Sequence, residues 1–433
     1  MLDLRSRAKN CRDVAHRFIV SVEDHLGQVY LQYLVPQQLP KEERQFFGGT
    51  IDRELVDARL LKSWLGRCKT WHENTCEEDG IASRRLPYKL RLIDVRKRAI
   101  IKAPDPKGLP YLTLSYVWGT ERESGMKPIV TNQADIRYRD DKEFTPLPDD
   151  LPNTIEDAIW LTLALGFRYL WVNALCIIQD DPPEEKKQHL DKMDAVYNCS
   201  TLTIAAASGR HADSGIPGIS IKRKAQHSER IKGLRIATMS PSFSELEDSR
   251  SLIWNTRGLT FQEKILAKRL LLFTESQVYY KCSEAIWTEE VIMETGRRSK
   301  SIEARKAKYR WAADRPHYAP DGKSTLLKMV VPQLNVDDQW NYLGMFPVYA
   351  MAVREYTQRT LTKPDDTLIA INGVFRTLQP DSGELHFGLP SAYFLQALLW
   401  YPESGSHHVR TTMNYHLGHG QVGRLAEGFH TTS

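Results

Sequence analysis

Tyr111-Leu112-Thr113-Leu114-Ser115-Tyr116, the stretch from Asn153-Thr154-Ile155-Glu156 to Gly166, and Arg168-Tyr169-Leu170-Trp171-Val172-Asn173 decide how this chain folds. The first is a short apolar and β-branched run set between Pro110 and Gly119, which predicts a strand. The second opens a helix with a polar N-cap followed three residues later by Glu. Its apolar positions Ile155, Ala158, Ile159, Thr162 and Leu163 fall on one face, and Gly166 stands where a left-handed cap is needed. The third reads as a second strand. A further helix from Glu184 to Tyr197, with Leu190, Met193 and Val196 on one face, leads into a third strand over Thr201-Leu202-Thr203-Ile204-Ala205-Ala206. This β-α-β-α-β alternation predicts parallel strands with right-handed crossovers. Ligands of such sheets bind beyond the carboxyl ends of the strands, which selects three loops: Val117 to Gly125, Ala174 to Asp181 and Ala207 to Gly218.

Working outward, Tyr88 to Val95 and Ala99 to Lys102 read as two strands around the turn Arg96-Lys97-Arg98. Downstream, Trp254 to Phe273 reads as helix or turn leading into a strand, and Gln277 to Cys282 as another strand. The expected fold class is therefore α/β. It comprises a helical N-terminal region at 1–87, a parallel-sheet domain at 88–285 with its core at 111–263, and a mostly helical C-terminal region at 286–433.

The net charge of +5 is a small difference between 59 basic and 54 acidic residues, so there is no basic field and nucleic acid is not an expected partner. The runs Lys222-Arg223-Lys224 and Arg297-Arg298-Ser299-Lys300 are read as solvated loops. Six scattered cysteines, Cys11, Cys68, Cys76, Cys176, Cys199 and Cys282, suit reduced thiols and a cytoplasmic protein. No apolar stretch is long enough to span a bilayer. Cys68, His72 and Cys76 are spaced to line one helix face and begin a metal site. No fourth ligand lies nearby in sequence, so packed thiols and no metal are expected.

Three strings together resemble the signature of the heterokaryon incompatibility (HET) domain: Tyr111 to Gly119 (YLTLSYVWG); Leu151 to Ile155 running through Trp171 to Asp181 (WVNALCIIQDD); and Asn255 to Glu263 (NTRGLTFQE). Supporting strings are Met193 to Tyr197, Thr203 to Ala206, and a later segment from Tyr356 to Gly373 that continues in Gly388-Leu389-Pro390 and Leu398-Leu399-Trp400. Asn173 stands where the family usually has Asp, and Leu259 where it usually has Trp. The tail at 401–433 lacks the expected Trp-rich continuation. The resemblance implies a fungal protein of non-self recognition and programmed cell death. Its architecture would be TIR-like or Rossmann-like, and by analogy with TIR domains that cleave NAD, NAD is a candidate substrate with no cofactor required. The alternative that the resemblance leaves open is a non-enzymatic death adaptor acting by self-association, as a homo-oligomer and with a separate recognition protein.

Loss of nicotinamide from NAD passes through an oxocarbenium-like transition state, which a fixed carboxylate stabilises. The candidates are Glu263, Asp180 and Asp181, with Asn173 at the position of a fourth. Structural readings come first for each: Glu263 as a salt-bridge partner of Arg257 or a helix-terminal charge, and Asp180 and Asp181 as a turn or the N-cap of the Glu184 helix. Ser115, Tyr116, Trp118, Gly119 and Arg257 are the nucleotide-contact candidates, Gly119 by close backbone approach and Trp118 by stacking, although Trp118 reads as well as a core cap beside Trp171 and Tyr169. Ser115 lacks a histidine in its motif, which disfavours a serine nucleophile. Ser208-Gly209-Arg210-His211 could offer backbone N–H groups and a guanidinium to a phosphate, and loop chemistry alone explains it equally well.

Overall fold

The computed structural model describes residues 3–5, 17–21, 28–36, 38, 47–72, 76, 86–87, 89–105, 108–125, 127–292, 346–360, 371–376, 383–386 and 388–398. In chain order these residues form β1 (Asp3–Arg5), β2 (Arg17–Ser21), β3 (Gln28–Tyr33), α1 (Ala58–Trp71), β4 (Arg91–Asp94), β5 (Ala99–Lys102), β6 (Tyr111–Tyr116), α2 (Glu121–Ser124), β7 (Tyr138–Arg139), β8 (Lys142–Pro146), α3 (Asn153–Ala164) and β9 (Tyr169–Val172). There follow α4 (Asn173–Cys176), α5 (Pro183–Leu190), α6 (Met193–Cys199), β10 (Leu202–Ala206), β11 (Ser228–Ile231), β12 (Leu234–Thr238), α7 (Phe243–Asp248), α8 (Ile253–Thr256), α9 (Gly258–Leu266), β13 (Arg269–Phe273), β14 (Val278–Cys282), β15 (Ile286–Thr288) and α10 (Phe346–Thr357).

The central sheet runs β15-β14-β13-β10-β6-β9-β4-β5-β8-β7. Its middle is parallel, as β6 pairs with both β9 and β10 and β10 with β13. The alternation legible in the sequence built this middle. The sheet as a whole is mixed rather than parallel, because β4 joins β9 antiparallel, β5 and β8 continue that wing, and β14 and β15 return antiparallel on the other side. Connections too short for a crossover helix dictate the antiparallel pairs β4–β5, β13–β14 and β14–β15, whereas β4–β9 and β5–β8 join strands far apart in the chain.

The N-terminal region also differs from the helical expectation. β1, β2 and β3 pair with one another and with β12 and β11 in a separate antiparallel sheet, leaving α1 as the helix of that region among the described residues. A strand completed by a partner some two hundred residues downstream has no local sequence signal.

In α3 the buried positions are Thr154, Ile155, Asp157, Ala158, Ile159, Leu161 and Thr162, whereas Leu163 is exposed. Gly166 has the expected left-handed backbone. The N-cap is Pro152, one residue earlier than expected, and has no side chain to cap with. Instead the Asn153 N–H donates to Asp213 Oδ1 at 3.0 Å, so the loop after β10 supplies the cap. The expected helix 184–197 is two helices, α5 and α6. α5 buries no residue, and the chain turns at Asp191, whose carbonyl and carboxylate accept from Arg376.

Of the basic runs, Lys222 and Lys224 are exposed, but Arg223 is buried and paired with Glu289 at 2.8 Å, which corrects the solvated-loop reading for that residue. The Arg297 to Lys300 run, Cys11, Leu399, Trp400 and the tail 401–433 lie outside the described residues. Among the described residues no helix is long and apolar enough to cross a membrane.

Candidate functional site

Strand alternation sends Leu112, Leu114 and Tyr116 of β6 to one face of the sheet and Thr113 and Ser115 to the other. The second face carries an unusual buried polar stripe. Tyr111 OH donates to the Val196 carbonyl at 2.6 Å, Thr113 bonds Thr203 at 2.8 Å and Ser200 at 3.3 Å, and Ser115 ends the series. Ser115 lies next to the small Ala205 of β10, which leaves room for α9 to approach.

Glu263 of α9 fills that room. The Ser115 hydroxyl donates to Glu263 Oε2 and accepts from Trp254 Nε1 at 2.7 Å, so one hydroxyl is held between an indole N–H and a carboxyl. All three side chains are buried. The string Asn255 to Glu263 produces this by folding into α8, a turn and α9. The Thr260 hydroxyl holds the turn by donating to the carbonyls of Trp254 and Arg257. Burial pushes the Glu263 carboxyl up to about 7, against hydrogen bonds from Ser115 and Tyr197 and the charge of Arg257, which pull it down. Burial, with the nearby Glu263 charge, also raises the phenols of Tyr116 and Tyr197, so both stay protonated donors.

The loops after β6 and β10 come together as the strand-end rule requires. The Ala212 N–H donates to the Trp118 carbonyl at 3.0 Å. Gly119 has a positive φ, and a Cβ there would come within 2.4 Å of the His211 Cβ, so only glycine allows this approach. Trp118 is half-buried against the core. Arg257 lies close enough to both Glu123 of α2 and Glu263 for its charge to act on each carboxyl. Ser208 Oγ and His211 Nδ1 are buried here without a hydrogen-bond partner among the described residues. Of the two readings of Ser208 to His211, the contacts show the loop one, since the N–H groups of Arg210 and His211 both donate to Ser214 Oγ at 3.1 Å.

The loop after β9 is placed otherwise. Asp180 accepts from the Gln133 N–H at 2.7 Å and Asp181 from Gln133 Nε2 at 3.1 Å, while Gln179 and Ala174 bond Thr131 through the main chain. These two aspartates tether a loop. Asn173 opens α4 half-buried, and its Nδ2 donates to Met193 Sδ at 3.4 Å. Met193 is one turn before Tyr197 on α6, so Asn173 touches the helix that carries a Glu263 partner.

Ser115, Tyr116, Arg257 and Glu263 are thus brought together, Trp118, Gly119 and Asn173 border them, and Asp180 and Asp181 serve elsewhere. Sequence reasoning missed Tyr197, Trp254 and Glu123. The first two sit in or beside strings already singled out, and the signal was there in a buried-type aromatic with a polar tip. Gly373, from the later segment, presses on the same layer: a Cβ there would lie 2.5 Å from Asp194 Cβ and 2.7 Å from Gln262 Nε2.

The family model described as heterokaryon incompatibility protein (HET) matches residues 111–263. No curated protein and no solved structure matches the chain.

Proposed function

We propose, from the match of residues 111–263 to the HET family model, that this chain has a role in heterokaryon incompatibility and acts in fungal non-self recognition and cell death by cleaving NAD at the carboxyl end of β6. The observation that carries this reading is Glu263, a buried carboxyl with no lysine or arginine bonded to it in the described contacts and a titration near neutrality. Perturbed buried acids of this kind concentrate at catalytic sites.

Several features support the location. The parallel strands run in the order β9-β6-β10-β13, which is 2-1-3-4 by sequence, so the order reverses between β6 and β10. Doubly wound sheets, the TIR-like class among them, bind nucleotides at that reversal. Ser208 and His211 offer polar atoms there that an outside group would complete. In the proposed step the bond between ribose C1′ and the nicotinamide nitrogen breaks, and its electron pair leaves with neutral nicotinamide. Ionised Glu263 stabilises the cationic ribosyl group until water attacks C1′ and gives up a proton. Trp254 and Ser115 orient the carboxyl, and Arg257 and Trp118 are suited to the pyrophosphate and a ring.

Asn173 favours a second reading. Its neutral amide, bonded to a thioether, supplies no charge where the resemblance expects an acid. A HET domain so altered would work as an adaptor through self-association. The test is NAD consumption with product analysis by the purified full chain and its Asn173→Asp and Glu263→Gln forms, at high protein concentration. Cleavage to nicotinamide and ADP-ribose by the chain or its Asn173→Asp form, lost with Glu263→Gln, is the expected result. Well-folded proteins that all leave NAD intact would establish the adaptor reading instead.

A further inference from the structure

We propose that Cys68, His72, Cys76 and Cys282 bind one zinc ion that staples the N-terminal helix α1 to the edge of the central sheet. Their ligand atoms all lie within 4.8 Å of one another. His72 Nδ1 is 3.4 Å from Cys282 Sγ and 3.7 Å from Cys76 Sγ. Zn–S bonds of about 2.3 Å and Zn–N bonds of about 2.0 Å at tetrahedral angles put ligand atoms about 3.5–3.8 Å apart. The two distances from His72 Nδ1 to sulfur match the nitrogen-to-sulfur edges of such a tetrahedron.

The sequence supplies only half of this arrangement. Cys68 sits in the last turn of α1 and His72 is its C-cap. Cys76 lies past the helix end, so it is the chain's departure from the helix, rather than one helical face, that brings it back to the other two. The fourth ligand comes from the last residue of β14, 210 positions beyond His72. All three sulfurs belong to buried residues.

The surroundings are those of a structural metal site. The His72 ring stacks on Trp287 of β15, with centroids 5.8 Å apart and planes within 9°, which fixes its orientation. Arg269 Nε donates to Cys68 Sγ at 3.3 Å, and Ser283 Oγ lies 3.0 Å from Cys76 Sγ. Three thiolates and a neutral imidazole on a divalent ion leave one net negative charge, which the buried Arg269 offsets. Three sulfurs and one nitrogen in a closed, dry set favour zinc over harder cations. The site also has a definite place in the architecture. Its ligands lie on both sides of residues 111–263, so the metal joins elements outside the HET match and does not depend on the NAD reading.

The test is the metal content of the full chain purified without chelator, with cobalt substitution as the spectroscopic readout. The expected result is about one tightly held zinc per chain. Cobalt should give intense ligand-field bands and sulfur-to-metal charge transfer of a tetrahedral thiolate site. Cys282→Ser and Cys68→Ser should lose the metal, His72→Cys should keep it, and Cys199→Ser, outside the cluster, should behave as the parent. Removing the metal with a strong chelator should lower Tm of the unmodified chain. Unmodified chain that is folded, reduced and substoichiometric in zinc even after zinc supplementation would overturn the proposal. So would a disulfide among Cys68, Cys76 and Cys282 in the native protein.

Discussion

Glu263 is a buried carboxyl and Glu247 a nearly buried one, both packed around α9, and they are driven in opposite directions. At Glu247 burial works against ionisation, but Lys264 at 3.1 Å and Lys281 at 2.7 Å outweigh it and hold the carboxyl at about 2. At Glu263, the residue just before Lys264, burial prevails over a hydroxyl, a phenol and the charge of Arg257, and the carboxyl titrates at about 7. Helical geometry turns consecutive side chains about 100° apart, so Lys264 faces Glu247 while Glu263 faces Ser115. One region of the molecule has its charges matched. The other keeps an acid poised near neutral pH, which is unfavourable for stability and useful for chemistry.

The largest effect that would sharpen this contrast is on turnover. Glu263→Gln, nearly isosteric, should lower NAD cleavage by roughly 100-fold or more while the far-ultraviolet spectrum stays unchanged. Glu247→Gln should do the reverse. Leaving the half-buried Lys264 and Lys281 without an anion should cost about 3 kcal/mol at pH 7 by urea unfolding, with activity per folded molecule retained. Because the folded carboxyl is depressed below its ordinary 4.5, this contribution is present above pH 4.5 and fades as pH falls toward 2. Trp254→Phe, which removes the donor to Ser115, should cost about 1–2 kcal/mol, read in the same denaturation experiment. Smallest should be Asp180→Ala, which releases a loop tether for about 1 kcal/mol or less and spares turnover. A turnover loss at Asp180 comparable to that at Glu263 would break the distinction between tether and acid.

What the sequence made legible follows from the range of the forces involved. β6, β10 and α3 are fixed by local periodicity and by Gly166, and they stand where expected within a residue or two. The antiparallel wings, the pairing of β3 with β12 and the arrival of Cys282 at α1 depend on partners far along the chain, which no local pattern announces. The site divides in the same way. Ser115 and Glu263 were singled out separately, but their contact across 148 positions, and the Trp254 that orients it, required the fold. For Asp180 and Asp181 the sequence leaves two readings open, because a pair of aspartates at a strand end has the same signature whether it holds a loop or a substrate, and the contacts with Gln133 show the loop tether.

The central claim, a buried carboxyl at Glu263 without a matched cation, is tested most directly by unfolding free energies of the parent chain and Glu263→Gln from pH 4.5 to 8. A folded carboxyl raised above its ordinary 4.5 binds its proton more tightly than the unfolded chain, so its contribution is fully present below pH 4.5 and is lost as pH rises through about 7. The two proteins should therefore match near pH 4.5, with the parent becoming less stable than the variant by about 3 kcal/mol at pH 8. A difference that stays flat across this range, or that grows toward low pH as for a salt-bridged acid, would contradict the account.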